Sequence, residues 1–80
     1  MNLDKEVRSV QKMTLRALRT NYDLTAKEAA DKIGIHPQTL LKYEHDSSRI
    51  PMDLLLKLAA LYKIDSNFIF LGSKSDLKQI

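Results

Sequence analysis

TAKEAADKIGIHPQTLLKYE, residues 25–44, is the stretch whose reading decides the fold. Thr25 followed three residues later by Glu28 forms a capping box. The threonine hydroxyl can accept from the Glu28 backbone N–H, and the glutamate can reach back to the threonine N–H. A helix therefore begins here and runs to Ile33, with Ala29, Ala30 and Ile33 turned inward. Gly34 then supplies a left-handed stop. His36-Pro37 opens the next helix, because proline fits the first helical position, where its missing N–H costs nothing. That helix runs from Pro37 to about Glu44.

At about 100° per residue, Tyr43 and Glu44 share a face with Leu40, while Gln38 and Lys42 lie on the opposite face. Leu41 falls at the boundary. Gln38 and Lys42 are of the residue types that read base edges: Gln bonds adenine in a bidentate way, and Lys reaches guanine O6 and N7. Leu41 suits a thymine methyl. On this helix alone the plainer reading, that Gln38 and Lys42 are ordinary solvated side chains, is the favoured one. The pair of helices shifts the weight. Small Ala30 permits close helix approach, Gly34 and Ile35 make the turn, and Leu40 anchors the second helix. Together these form a helix-turn-helix pattern.

Outward from this unit, helices fit throughout. The first lies within residues 4–21, with Val7, Val10, Leu15 and Leu18 on its apolar face and Arg8, Lys12, Arg16 and Arg19 on the rest. Two starts are open. Either it begins near Asp4, or Thr14 caps a shorter helix and residues 1–12 form an arm. Asn21-Tyr22-Asp23 has turn character. Past the third helix, Asp46 is expected in the left-handed conformation, which Asp tolerates better than most residues. Pro51 opens a fourth helix to about Tyr62, with Leu54, Leu55, Leu58, Leu61 and Tyr62 at helical spacing. Ser66 begins a short fifth helix over residues 67–71, stopped by Gly72, and residues 73–80 form a loose polar tail. No Val/Ile/Thr-rich alternation marks a strand. The expectation is an all-α, compact five-helix domain over residues 1–72.

Composition narrows the function. Eighty residues make one domain with a small core. The chain has no cysteine, where a secreted domain of this size would usually carry disulfides, so a reducing cytoplasm is expected. No apolar run approaches the roughly 20 residues of a membrane span, and MNLDKEVRSVQK does not read as a signal peptide. The net charge of +3 is spread along the chain, with no long basic tail. A DNA partner must then be met by a few placed cations and by backbone amides. Paired carboxylates, a Ser/His/Asp set and a Gly-rich phosphate loop are all missing, so no enzyme is expected. His36 and His45 are the only histidines, and no metal or other cofactor is expected. Tyr22, Tyr43 and Tyr62 read as half-buried core residues.

Residues 15 to about 72 resemble the Cro/C1-type (XRE-family) helix-turn-helix domain of phage and bacterial repressors. The resemblance rests on LRALRTNYDLTAKEAADKIGIHPQTLLKYE followed by Pro51, LLLKLAALYKI and FIFLG, in that order. It implies a lambda-repressor-like bundle whose second and third helices read double-stranded DNA. His36, Pro37, Gln38, Leu41 and Lys42 would contact bases. Arg19, Thr25, Lys27, Thr39, Tyr43, His45, Ser47 and Arg49 would meet phosphates. Arg19 and Glu44 match a pair often formed between the first and third helices. Three positions depart from the pattern. Ala26 stands where the family usually has a phosphate-clamping Gln, Asp46 where it usually has Gly, and Pro37 offers only apolar contact.

Apolar residues are left over. Phe68, Ile69, Phe70 and Leu71 cannot all face one small core, and Leu56 lies off the main stripe of the fourth helix. Leu56, Phe68, Ile69 and Phe70 are therefore expected at a symmetric dimer interface, unless Val7 and Val10 cover this surface. A dimer would occupy an inverted-repeat operator with half-sites about 10 bp apart. The chain ends soon after Gly72, which favours a Cro-like phage or prophage repressor, acting in a bacterial cytoplasm by promoter occlusion, over a multidomain one. The rival expectation is an antitoxin or adaptor that uses the same fold to grip a protein.

Overall fold

The computed structural model of the chain describes residues 12–73. Four α-helices follow one another there: α1 (Leu15–Asn21), α2 (Ala26–Ile33), α3 (Pro37–His45) and α4 (Met52–Leu61). A single 3₁₀ turn, Ser66–Phe68, comes last. Helix boundaries of α2, α3 and α4 agree with the expected ones to within a residue. Expectations for residues 1–11, including Val7, Val10 and the choice of arm or helix, lie outside the described residues, as do those for residues 74–80. At residue 14 the second expected start holds. Thr14 is the N-cap of α1, and its hydroxyl accepts from the Ala17 N–H at 3.0 Å.

The core is assembled from all four helices. Leu15 and Leu18 come from α1, Ala29 and Ala30 from α2, Leu40 from α3, and Leu54, Leu55, Leu58 and Ala59 from α4. Tyr62 and Ile69 close it. Burying each large aliphatic side chain contributes roughly 1.5–3 kcal/mol. Ala29 and Ala30 are fully buried, which lets α2 lie close against its neighbours. The rings of Tyr22 and Tyr62 stack at 6.1 Å, and the Tyr22 hydroxyl donates to the Tyr62 carbonyl at 2.9 Å. Tyr22 nevertheless remains 45% exposed, so it is a surface clasp between the ends of α1 and α4 rather than the half-buried residue expected.

Three helices end in the same way. After α1, α2 and α4 one residue takes a positive φ: Asp23 (55°), Gly34 (76°) and Lys63 (54°). The next N–H bonds back five residues, from Leu24 to Arg19, from Ile35 to Ala30 and from Ile64 to Ala59, at 3.0–3.2 Å. Each of those three aliphatic residues packs on the core. This is the Schellman ending, in which left-handed backbone satisfies the last carbonyls and a hydrophobic contact locks the exit.

The fifth α-helix is a correction. Asp65 caps the 3₁₀ turn through its carboxylate, which accepts from the Asn67 N–H at 2.8 Å. The chain then extends at Ile69 and bridges Met13: the Met13 N–H donates to Phe68 O, and the Phe70 N–H donates to Met13 O. Extended backbone alternates its side chains. Ile69 therefore points into the core and its neighbours Phe68 and Phe70 away from it, while Leu71 beyond them is exposed. Four apolar residues in a row read equally as helix or strand, and only the pairing with Met13 decides between them.

Asp46 is a second correction. Its backbone is extended (φ −150°, ψ 106°), not left-handed. Its carboxylate accepts from the Ser48 N–H at 3.0 Å and the Ser48 hydroxyl at 2.7 Å, turning the loop through its side chain instead. Both bonds favour the ionised carboxyl and hold its pKa below the usual Asp range.

Candidate nucleic-acid interface

The two helices that carry the site are fixed relative to each other by short-range chemistry. The Thr25–Glu28 capping box is formed in full: the Glu28 N–H donates to the Thr25 hydroxyl at 3.1 Å, and the Thr25 N–H donates to the Glu28 carboxylate at 2.8 Å. The Thr25 N–H, and after it the Thr25 hydroxyl, lower the pKa of the Glu28 carboxyl. Gly34 turns the chain, Ile35 packs on the core beneath the turn, and Leu40 is fully buried, anchoring α3.

His36 is the N-cap of α3. Its Nδ1 accepts from the Gln38 N–H at 3.1 Å. An accepting Nδ1 carries no proton, so the neutral ring holds its proton on Nε2 and presents one donor there.

Leu40 buries one side of α3, and Gln38, Leu41 and Lys42 are exposed on the other. A cleft of about 560 Å³ brings these three together with Tyr43, His45, Asp46, Ser48 and Arg49. The Lys42 ammonium lies 5.3 Å from the centre of the Tyr43 ring, a cation–π distance that biases its position. His36, Pro37, Thr25 and Lys27 do not line this cleft; they sit at the starts of α3 and α2. Lys27 forms only an exposed pair with Asp31 at 3.0 Å, which a stronger anion displaces at little cost. Thr39 is half-buried on α3.

Arg19 and Glu44 meet as the resemblance implied. Nε and Nη2 of Arg19 donate to the two Glu44 oxygens at 2.6 and 2.9 Å, and Nη1 donates to the Leu24 carbonyl at 2.9 Å. The side chains are 12% and 4% exposed. The bond to Glu44 raises the Arg19 pKa. All three guanidinium nitrogens are thus committed inside the protein, and Arg19 acts as a brace between α1, α3 and the turn at Leu24.

Two expected site residues are placed elsewhere. Ser47 is buried at 4% exposure. Its N–H donates to Gly72 O at 3.0 Å, its hydroxyl accepts from the Gly72 N–H at 3.0 Å, and that hydroxyl also lies 3.2 Å from Phe70 O. It pins the loop after α3 to residues 70–72 and is withdrawn from the phosphate set. Ile69 belongs to the core, with 1% exposure, and is withdrawn from the partner surface. Leu56 and Phe68 remain exposed, and Phe70 is half-buried.

Sequence reading missed Arg16 as a neighbour of α3. A second, smaller cleft is lined by Arg16, Leu41, Glu44 and His45. The available signal was position: Arg16 stands three residues before Arg19 and therefore on the same stripe of α1. Among the described residues no group of His, Cys, Asp and Glu could hold a metal ion, and no helix is long and apolar enough to cross a membrane.

This is a helix-turn-helix with its second helix presented outward, and residues 15–69 match the helix-turn-helix family model. The chain belongs to that family, and the Cro/C1-type resemblance holds. It is 40% identical over 62 residues to the uncharacterized HTH-type transcriptional regulator YobD of Bacillus subtilis (strain 168), covering 78% of this chain and 54% of that protein. It is 36% identical over 55 residues to the HTH-type transcriptional regulator ImmR of the same organism, covering 69% of this chain and 43% of that protein. The chain spans about half the length of these curated relatives.

Proposed function

We propose that this protein is a sequence-specific, double-stranded-DNA-binding transcriptional regulator that lays α3 in the major groove. The observation that carries the reading is the cleft across α3. It gathers two base-reading side chains, Gln38 and Lys42, with two flanking groups suited to phosphate, His45 and Arg49. His36, with its Nε2 donor, and Pro37, offering apolar contact, extend the base-reading set at the start of the helix. Thr25, Lys27, Thr39 and Tyr43 complete the phosphate set, and Arg19 holds α3 at its angle. The relatives' names as transcriptional regulators support the same reading.

The finer reading is a Cro-like phage or prophage repressor that blocks a promoter in a bacterial cytoplasm. It would bind an inverted repeat as a homodimer through the exposed apolar surface that includes Leu56 and Phe68. Sedimentation at tens of micromolar, with and without operator DNA, checks the dimer; a strict monomer in both removes it.

Fluorescence-anisotropy titration on DNA flanking the protein's own gene, with excess unrelated competitor, tests the DNA reading. Binding should saturate, survive competitor and weaken with salt, with a log–log slope of about −0.9 for each phosphate met. Replacing Gln38 and Lys42 together by Ala should erase the preference for that DNA while leaving the fold intact.

The rival reading, an antitoxin or adaptor that grips a protein, draws support from the exposed apolar side of α4, where Met52 is 65% and Leu56 51% exposed. Under it the Gln38/Lys42 double variant keeps full activity toward its protein partner, and wild-type DNA binding does not exceed the competitor level.

A further inference from the structure

The smaller cleft, of about 180 Å³, lies between α1 and α3 and is bounded by Arg16, Leu41, Glu44 and His45. Its acidic wall is already neutralised. Both Glu44 oxygens accept from Arg19, and the Glu44 side chain is only 4% exposed. Arg16 is therefore not drawn inward as Arg19 is. It is exposed, and among the described residues it makes no ion pair. What remains at the mouth of the cleft is the Arg16 guanidinium, unpaired among the described residues, with His45 lining the same cleft.

Position decides what such a group meets. On α3, Glu44, Leu41 and His45 lie at about 40°, 100° and 140° from the buried Leu40, whereas Gln38 and Lys42 lie at about 160° and 200°. Arg16 thus borders the α1 flank of α3 and not its outermost edge. Arg49 lines the large cleft, which crosses α3 from Leu41 and His45 to Tyr43 and does not include Arg16. A helix lying in the major groove has a sugar–phosphate wall on each side, and cations on its flanks meet those walls rather than base edges.

We infer that the cleft between α1 and α3 seats a backbone phosphate of duplex DNA, held by the forked donors of Arg16 with His45 as the facing wall. This rests on the reading that the α3 face binds DNA. It adds a contact from α1, and so a second clamped flank, to a site otherwise supplied by α2, α3 and the loop after α3. An arginine fork suits a phosphate's paired oxygens better than a single ammonium does.

The test compares wild type, Arg16→Ala and Arg16→Lys by anisotropy on operator and on unrelated duplex across a salt series. The Gln38/Lys42 double-Ala variant serves as the control for base reading. Arg16→Ala should weaken binding to both duplexes by a similar factor, roughly tenfold, and make the salt slope shallower by about 0.9. Arg16→Lys should restore the slope and part of the affinity. Single methylphosphonate substitutions along the operator should reveal one position that weakens wild type but not Arg16→Ala, which locates the seat. Arg16 is exposed and alanine favours helix, so an unchanged melting temperature is expected to certify the fold. If Arg16→Ala leaves affinity and slope unchanged while the control loses operator choice, the phosphate seat is wrong and the DNA reading stands. If wild type binds no duplex above the competitor level, both fall.

Discussion

Tyr62 combines the deepest burial of any aromatic residue described with a hydroxyl that finds no hydrogen-bond partner there. Burial of that hydroxyl pushes its pKa up to about 12. An unsatisfied buried hydroxyl costs free energy that an apolar group of the same shape does not. Tyr62→Phe is therefore expected to leave stability at pH 7 unchanged or to raise it by about 1 kcal/mol, measured by urea unfolding. The alkaline behaviour follows from the direction of the shift. The folded pKa lies above the unfolded value near 10, so the contribution is whole below pH ~10 and is lost as pH rises towards 12. The Phe variant should lose less stability than wild type across that window. A Phe variant that is less stable at pH 7 by 2 kcal/mol or more would mean that the hydroxyl is satisfied after all. His36 makes a related point at the same scale. Its residue type marks it only as a candidate contact, and the bond at Nδ1 settles which nitrogen remains to donate.

At the scale of the element, the three Schellman endings have unequal residues for one backbone conformation. Gly34 adopts it without penalty, and a methyl group there would meet nothing within 4 Å. Gly34→Ala should therefore lower stability by about 1 kcal/mol through backbone strain alone, with no clash to add. Lys63 holds the same conformation against its own Cβ, so Lys63→Gly is expected to raise stability by roughly 0.5–1 kcal/mol. Thermal or urea unfolding of the two variants checks both signs, and a destabilised Lys63→Gly would show that its side chain contributes more than its strain costs. The capping box and the Gly stop made α2 readable, because each acts within four residues. The endings at Asp23 and Lys63 gave little or no signal, since Asp is only a tolerated left-handed residue and Lys is not a favoured one.

At the scale of the whole molecule, the Arg19–Glu44 pair ties three elements together. Removing one partner leaves the other charge largely buried and unanswered, so Arg19→Ala or Glu44→Ala should each cost about 3 kcal/mol. Replacing both with apolar residues of similar volume, Arg19→Met with Glu44→Leu, should cost less than either single change. Urea unfolding of the three variants measures this; additive single costs would mean that the pair is not coupled. The Met13–Ile69 bridge and the Ser47–Gly72 contacts act at the same scale, fastening the two ends of the described segment around α3 and α4.

The sequence by itself determined the helix-turn-helix, α2, α3 and α4 to within a residue of their ends, and the outward pair Gln38 and Lys42 with Leu41 at the boundary, while it left the start of α1 open. Those features depend on side-chain-to-backbone bonds within four residues and on a 3.6-residue period, both local and both legible. Tertiary structure alone decided that FIFLG is a turn and an extended segment, that Ser47 and Ile69 face inward, that Asp46 turns its loop through its carboxylate, and that Arg16 borders α3. Apart from the Asp46 turn, whose partner Ser48 stands two residues on, each of these depends on a partner far along the chain, such as Met13 for Ile69 or Gly72 for Ser47. No period or cap within the segment itself records such a partner.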